Sequence, residues 1–146
     1  MEAYSNQDIS KLNEFLKNEL SAVATYDQCI EKVSNALVVR HLAELRSSHA
    51  SRSRLLRDRV RALGGEPADD AGLWGSIAKL VEGGAAAFGE KAALSVLEEG
   101  EDIGLQQYQS GVDELSEATR LFVSNSILPE QRRSHDTLGR MIRAEA

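Results

Sequence analysis

LNEFLKNELSAVATY, Leu12 to Tyr26, decides the fold. Its apolar residues belong to a longer series, Ile9, Leu12, Leu16, Glu19, Val23, Tyr26, Ile30 and Val33, that advances by alternating steps of three and four. That spacing lines the series up along one side of an α-helix facing partner helices. A carboxylate and a phenol, Glu19 and Tyr26, therefore stand inside an apolar seam. Upstream, Ser5 and Asp8 have the spacing of an N-cap and its box partner, so the first helix is expected from about residue 6 to Val33.

Downstream, Ser34 and Asn35 break the pattern and can cap a second helix. Its seam reads Val38, Leu42, Leu45 or Arg46, His49, Ser53, Leu56, Val60 and Leu63, and it ends at Gly64-Gly65 before Pro67. Two helices of about 28 residues, each roughly 42 Å long, with so short a break between them form an antiparallel hairpin. A third helix carries Leu94, Glu98, Glu101, Leu105, Tyr108, Val112 and Leu115 at the same spacing. After Ser116 a fourth carries Leu121, Asn125, Leu128, Arg132, His135, Leu138 and Ile142. Pro129 lacks a donor and crowds the carbonyl four residues back, so it is expected to kink or interrupt this helix near Asn125.

The segment between the hairpins is rich in Gly, Ala and Asp, with one amphipathic piece from Leu73 to Val81 that contains Trp74 and a pair, Asp69-Asp70, suited to capping it. Extended, a link of this size spans a helical bundle. The chain thus reads as one all-α domain over 1–146, an antiparallel four-helix bundle: hairpin 1 about 6–63, a crossover with a short helix about 64–86, hairpin 2 about 87–145. The hairpins look duplicated. Glu19, Tyr26 and Ile30 recur 82 residues on as Glu101, Tyr108 and Val112; Arg46, His49 and Leu56 recur 86 residues on as Arg132, His135 and Ile142. The difference of four implies a second hairpin about one turn longer.

Composition fits one helical domain. Of 146 residues 42% are hydrophobic, only 5% are aromatic and two are proline, which argues against a strand-rich sandwich or barrel. There are 17 Lys+Arg against 23 Asp+Glu, a net charge of −6. No apolar run is long enough to span a membrane and the first residues lack an export pattern, so a cytoplasmic protein is expected. A single cysteine, Cys29, excludes an internal disulfide and a thiolate metal cage, and its place by an apolar stripe makes it a buried, inert thiol.

The polar seam residues carry the chemistry. Carboxylate and imidazole are ligands that iron, manganese and zinc accept, and diiron bundles supply one Glu from each of two helices plus Glu-x-x-His from each of the other two. Here Glu19 and Glu101 stand at the single-Glu positions, His49 and His135 at the histidine positions. With these residues and the Leu12–Tyr26 stretch, the chain resembles the ferritin-like superfamily, bacterioferritin and rubrerythrin most visibly. It is also similar to a family of short bacterial ferritin-like four-helix proteins, for which the resemblance implies a fold and no settled activity. In bacterioferritin-like first helices the Glu binds metal and the Tyr lies beside the centre, which implies these roles for Glu19 and Tyr26. Three residues before each histidine, where the resemblance calls for glutamate, stand Arg46 and Arg132. Both bridging carboxylates are replaced, so conventional ferroxidase activity is not expected.

Two outcomes follow from that replacement. In one, Arg46 and Arg132 take the place of the two cations and pair with Glu19, Glu101 and Glu98 in a metal-free core, with Tyr26 and Tyr108 packed beside it. Such a core suits a non-catalytic or stress-related bundle. In the other, Glu19, His49, Glu101 and His135 hold a single iron, manganese or zinc ion, in iron or oxidative-stress handling. His41 with Glu44 reads as a solvated pair. Seven arginines between Arg40 and Arg61 lack interleaved aromatics, and acidic residues on helix 3 can balance them, so nucleic acid is not an expected partner. A monomer, or a homodimer through Phe15 or Phe122, is expected; a 24-subunit cage is not, because no fifth helix follows helix 4.

Overall fold

A computed structural model describes residues 2–69 and 89–145, with side chains over 6–69 and 89–144. Helix α1 spans Glu2–Ile30, α2 Ala36–Ala62 and α3 Glu90–Gly111. After a 3₁₀ turn, Val112–Glu114, the fourth helix α4 continues through α-helical Glu117–Phe122, a π-helical turn Val123–Ile127 and α-helical Leu128–Glu145. The expected short crossover helix, Leu73 to Val81 with Trp74, lies outside the described residues. Among those described there is no strand, and no helix is long and apolar enough to cross a membrane.

The helix boundaries have local causes. Asn35 caps α2, its side chain accepting from the Leu37 and Val38 amides at 2.9 and 3.2 Å. Gly64, at φ +85, turns the chain out of α2. Helix α1 begins at Glu2, so the Ser5–Asp8 pair falls inside it and not at its start. Asp8 caps α4 instead: the Ser116 amide donates to it at 2.9 Å and the Thr119 hydroxyl at 2.6 Å, and the Ser116 hydroxyl donates as well. Burial works to raise the Asp8 carboxyl, but these donors hold it below its ordinary pKa. Pro129 does not break α4. Without an amide proton it leaves the Asn125 carbonyl unserved, and the helix widens there, with the Leu128 amide bonding back to Val123.

Helices α1 and α2 form one hairpin, α3 and α4 the other, and α1 packs along α3. Contacts Phe15–Tyr108, Asn18–Gln107 and Cys29–Ala93 run α1 antiparallel to α3. The end of α2 and the start of α3 consequently lie at opposite ends of the bundle, as a crossover requires. Asn13 holds the beginning of that link, donating to the Glu66 carbonyl at 3.0 Å and accepting from the Ala68 amide at 2.8 Å.

Two apolar clusters fill the ends of the bundle, one around Tyr26, Leu42, Leu45, Leu94, Leu97 and Leu138, the other around Leu12, Phe15, Leu56, Tyr108, Ile127 and Leu128. A shift of 82 residues exchanges them: Leu12 goes to Leu94, Phe15 to Leu97, Leu45 to Ile127, Leu56 to Leu138 and Tyr26 to Tyr108. The duplication therefore has the same offset in both helices of each hairpin. The longer second hairpin expected from the offset of 86 is corrected: α4 follows α2 at 82. Between the clusters lies a layer of buried polar side chains.

Candidate functional site

Glu19, Tyr26, His49, Glu101 and Tyr108 meet in this layer, all buried. His49, on α2, sits at its centre. Its Nδ1 lies 2.8 Å from Glu19 Oε1 on α1 and its Nε2 2.7 Å from Glu101 Oε2 on α3. The Tyr26 hydroxyl donates to Glu101 Oε2 at 2.5 Å, and the Tyr26 ring lies beside the imidazole, centroids 5.3 Å apart.

The arginine in the core is Arg52, which is 1% exposed. Its Nε lies 3.0 Å from Glu19 Oε2, its Nη1 donates to Gln131 Oε1 at 2.5 Å and its Nη2 to Ser134 Oγ at 3.1 Å. Gln131 Nε2 donates to Glu101 Oε1 at 3.0 Å, and the Ser134 hydroxyl donates to the same oxygen at 2.9 Å. Glu101 is thus held by three helices. Gly104 makes room for the Gln131 amide: a Cβ there would lie 2.9 Å from Gln131 Nε2. Glu19 Oε2 and the Tyr108 hydroxyl are turned toward one another without a well-aligned hydrogen bond.

Two carboxylates and two cations balance to zero. Burial works to lower the His49 pKa, and Arg52 adds to that, but Glu101, Glu19 and the hydrogen bond to Glu101 outweigh both and raise it. Burial works to raise Glu101, and the His49 charge and hydrogen bonds from His49 and Tyr26 hold it below the usual carboxylate value. The geometry agrees, since an imidazole lying between two carboxylate oxygens satisfies both only by donating from both nitrogens. Burial first, then the neighbouring carboxylate, pushes both tyrosines well above their ordinary pKa, through Glu101 for Tyr26 and Glu19 for Tyr108.

Four expected site residues lie elsewhere. His135 is partly exposed on the outside of α4, its Nε2 2.6 Å from Asp102 and its Nδ1 3.2 Å from Asp136. Arg46 pairs at the surface with Asp27, Nε to Oδ1 at 2.6 Å, and Arg132 is exposed. Glu98 lines a surface hollow of about 240 Å³ with Asp102 and His135. The 82-residue relation explains the error in α4: it carries His49 to Gln131 and Arg52 to Ser134, so matching one histidine to the other misread the inward face. Arg52 was legible as the position three after His49, on the same face as Ser53 four after it. Phe15, proposed as an outward dimer contact, is buried against Tyr108, ring centroids 4.6 Å apart.

Two antiparallel hairpins, with the end of α2 and the start of α3 at opposite ends of the bundle, and a carboxylate-imidazole layer at mid-bundle define a ferritin-like four-helix bundle. A solved structure from Bacillus anthracis str. Ames, described as a ferritin-like, diiron-carboxylate protein, superimposes with a TM-score of 0.78 at 17% identity, covering 97% of this chain and 99% of that one. The chain belongs to the family described as domain of unknown function DUF2383, whose model matches residues 7–114. That span includes Glu19, Tyr26, His49, Arg52, Glu101 and Tyr108, and stops before Gln131 and Ser134. No curated protein matches the sequence.

A dinuclear centre needs carboxylates converging on two ions and histidines that turn a lone pair to them. The residues present do not fit one. Both His49 nitrogens are engaged by carboxylates on opposite sides of the ring, a guanidinium lies on Glu19, and α4 contributes an amide and a hydroxyl where a histidine and a second charged residue would be needed. Among the described residues no three His, Cys, Asp or Glu side chains are grouped so as to hold a metal ion.

Proposed function

We propose that this protein is a non-catalytic ferritin-like bundle with a degenerate diiron site, in which Arg52 and protonated His49 supply the positive charge that metal ions supply in a diiron-carboxylate core. One observation supports this above all: the Arg52 guanidinium, buried, is matched by Glu19, Gln131 and Ser134. Arginine satisfies several acceptors in one plane and keeps its charge in a dry site, so the carboxylates are neutralised permanently. The protein then serves as a scaffold whose outer faces do the work.

Titration with iron(II), manganese(II) and zinc(II), read by bound metal after dialysis and by thermal unfolding, tests this reading. An ion held in the core at a hundredfold excess over its Kd would add about 2.7 kcal/mol of stability. We expect no such shift and less than one ion per chain. One tightly held ion per chain, raising the melting temperature and lost in both Glu19→Gln and His49→Gln, would overturn it.

A further inference from the structure

Charge is divided unevenly among the four helices. All twelve arginines lie on α2 and α4, whereas α1 and α3 carry lysine as their only basic residue other than histidine. Helix α2 has seven arginines against Glu44 and Asp58, so 7 − 2 gives +5. Helix α3 has Lys91 against Glu90, Glu98, Glu99, Glu101 and Asp102, so 1 − 5 gives −4. Because α1 packs on both α2 and α3, and α4 on both as well, α2 and α3 occupy opposite corners of the bundle. Acidic and basic edges face away from each other.

Internal pairing absorbs Arg52 and Glu101 in the core and Asp102 through His135, but among the described residues it does not join α2 to α3 at the surface, contrary to the expectation that acidic residues on α3 balance the basic run on α2. Of the α2 arginines, Arg46 meets Asp27, Arg52 is in the core and Arg59 lies over the Phe122 ring at 4.2 Å. Arg54 reaches Ser51, and neither it nor Arg57 or Arg61 has a carboxylate partner among the described residues. Glu98 and Glu99 likewise have no cationic partner there. Two of the large apolar side chains left in water, Leu37 at 53% and Leu55 at 42% exposure, are also on α2.

Arginine is enriched in protein interfaces, and the exposed Leu37 and Leu55 beside it give apolar area for a partner to cover. A nucleic-acid surface would call for aromatic side chains to stack on bases, or for net positive charge; α2 has no aromatic residue besides histidine, and the molecule carries −6. A twofold dimer through α2 would set like charges together. The acidic edge of α3 offers the complementary charge over a helix of similar length.

We propose that the outer face of α2 docks on the outer face of α3 of a second copy of this chain. Such a contact is heterologous, leaves one basic and one acidic edge unused at the two ends, and repeats head to tail. It does not depend on the chemistry of the core.

Light scattering with size exclusion at about 20 mM and about 500 mM salt, between which the Debye length falls from roughly 20 Å to roughly 4 Å, tests the proposal. We expect masses above the 15.9 kDa monomer at low salt that fall to the monomer at high salt. Arg54→Gln with Arg57→Gln, and separately Glu98→Gln with Glu99→Gln, should each weaken association at least about tenfold. Mixed together, the two double variants should form a one-to-one pair that grows no further, since each keeps one intact edge. A monomer at low salt, association that strengthens with salt, or failure of the mixture to pair would overturn the proposal. So would a monomer that retains labelled duplex DNA at low salt through Arg54 and Arg57.

Discussion

Replacing Arg52 by methionine keeps much of the side-chain volume and removes the charge. Glu19 then loses the guanidinium 3.0 Å from its Oε2, and Gln131 and Ser134 lose the donors on which they rest. Before the change the layer holds two positive and two negative groups; after it, Glu19 and Glu101 face His49 alone. Removing one partner of a buried ion pair costs about 3 to 5 kcal/mol. At about 2 to 4 °C per kcal/mol for a chain of this size, the melting temperature should fall by about 6 to 20 °C. Arg46→Met, which breaks a half-exposed pair with Asp27, should cost less than about 1 kcal/mol. Adding Glu19→Gln to Arg52→Met restores neutrality and keeps an oxygen able to accept from His49, so it should recover roughly half of the loss. Urea unfolding followed by far-ultraviolet circular dichroism near neutral pH measures all four proteins. If Arg52→Met costs no more than Arg46→Met, or the added Glu19→Gln makes matters worse, the neutralised core is the wrong description.

Stability should vary with pH in a defined way. His49 has a folded pKa above its ordinary 6.5, so its contribution is whole below 6.5 and is lost as pH climbs through the raised value; Glu101 lies below its ordinary 4.5, so its contribution is whole above 4.5 and is lost as pH falls through the lowered value. Urea midpoints should therefore be highest between these limits, and His49→Gln should flatten the alkaline decline; an unchanged decline would point to another group. Gly104→Ala, which in an open helix gains up to about 1 kcal/mol, should here lose about 1 kcal/mol by forcing the Gln131 amide off Arg52 and Glu101, a difference that thermal unfolding resolves. Cys29 is buried and burial pushes its thiol up to about 12, so a thiol reagent should label it only after denaturant is added; rapid labelling of the native protein would show the α1–α3 seam to be open.

The fold was legible because its signal is repeated. Four series of apolar residues at three-four spacing, two of them linked by Glu19–Glu101 and Tyr26–Tyr108, leave few arrangements other than paired hairpins, and residues on α1 and α3 were placed correctly by that relation. The site was legible on α1, on α3 apart from Glu98, and on half of α2. It failed where a step of three and a step of four both stay on the buried face: from His49 the series continues through Arg52 as readily as through Ser53, and only the α4 side chains opposite decide what Arg52 meets. It failed again on α4, where His135 was matched to His49 by residue type although Gln131 holds the equivalent place. An amide and a hydroxyl look like surface residues until a guanidinium is found between them.

The π-helical turn at Val123–Ile127 has a consequence for how this helix tolerates insertions and deletions. A wide turn holds one residue more than a regular one, and elsewhere in a helix each residue gained or lost swings everything beyond it by about 100°. Here that rotation has already been absorbed locally. A single-residue deletion within the turn can tighten it to ordinary winding while Gln131 and Ser134 stay where they are, whereas the same deletion between Ser134 and Leu138 would carry Leu138 off the apolar cluster it completes.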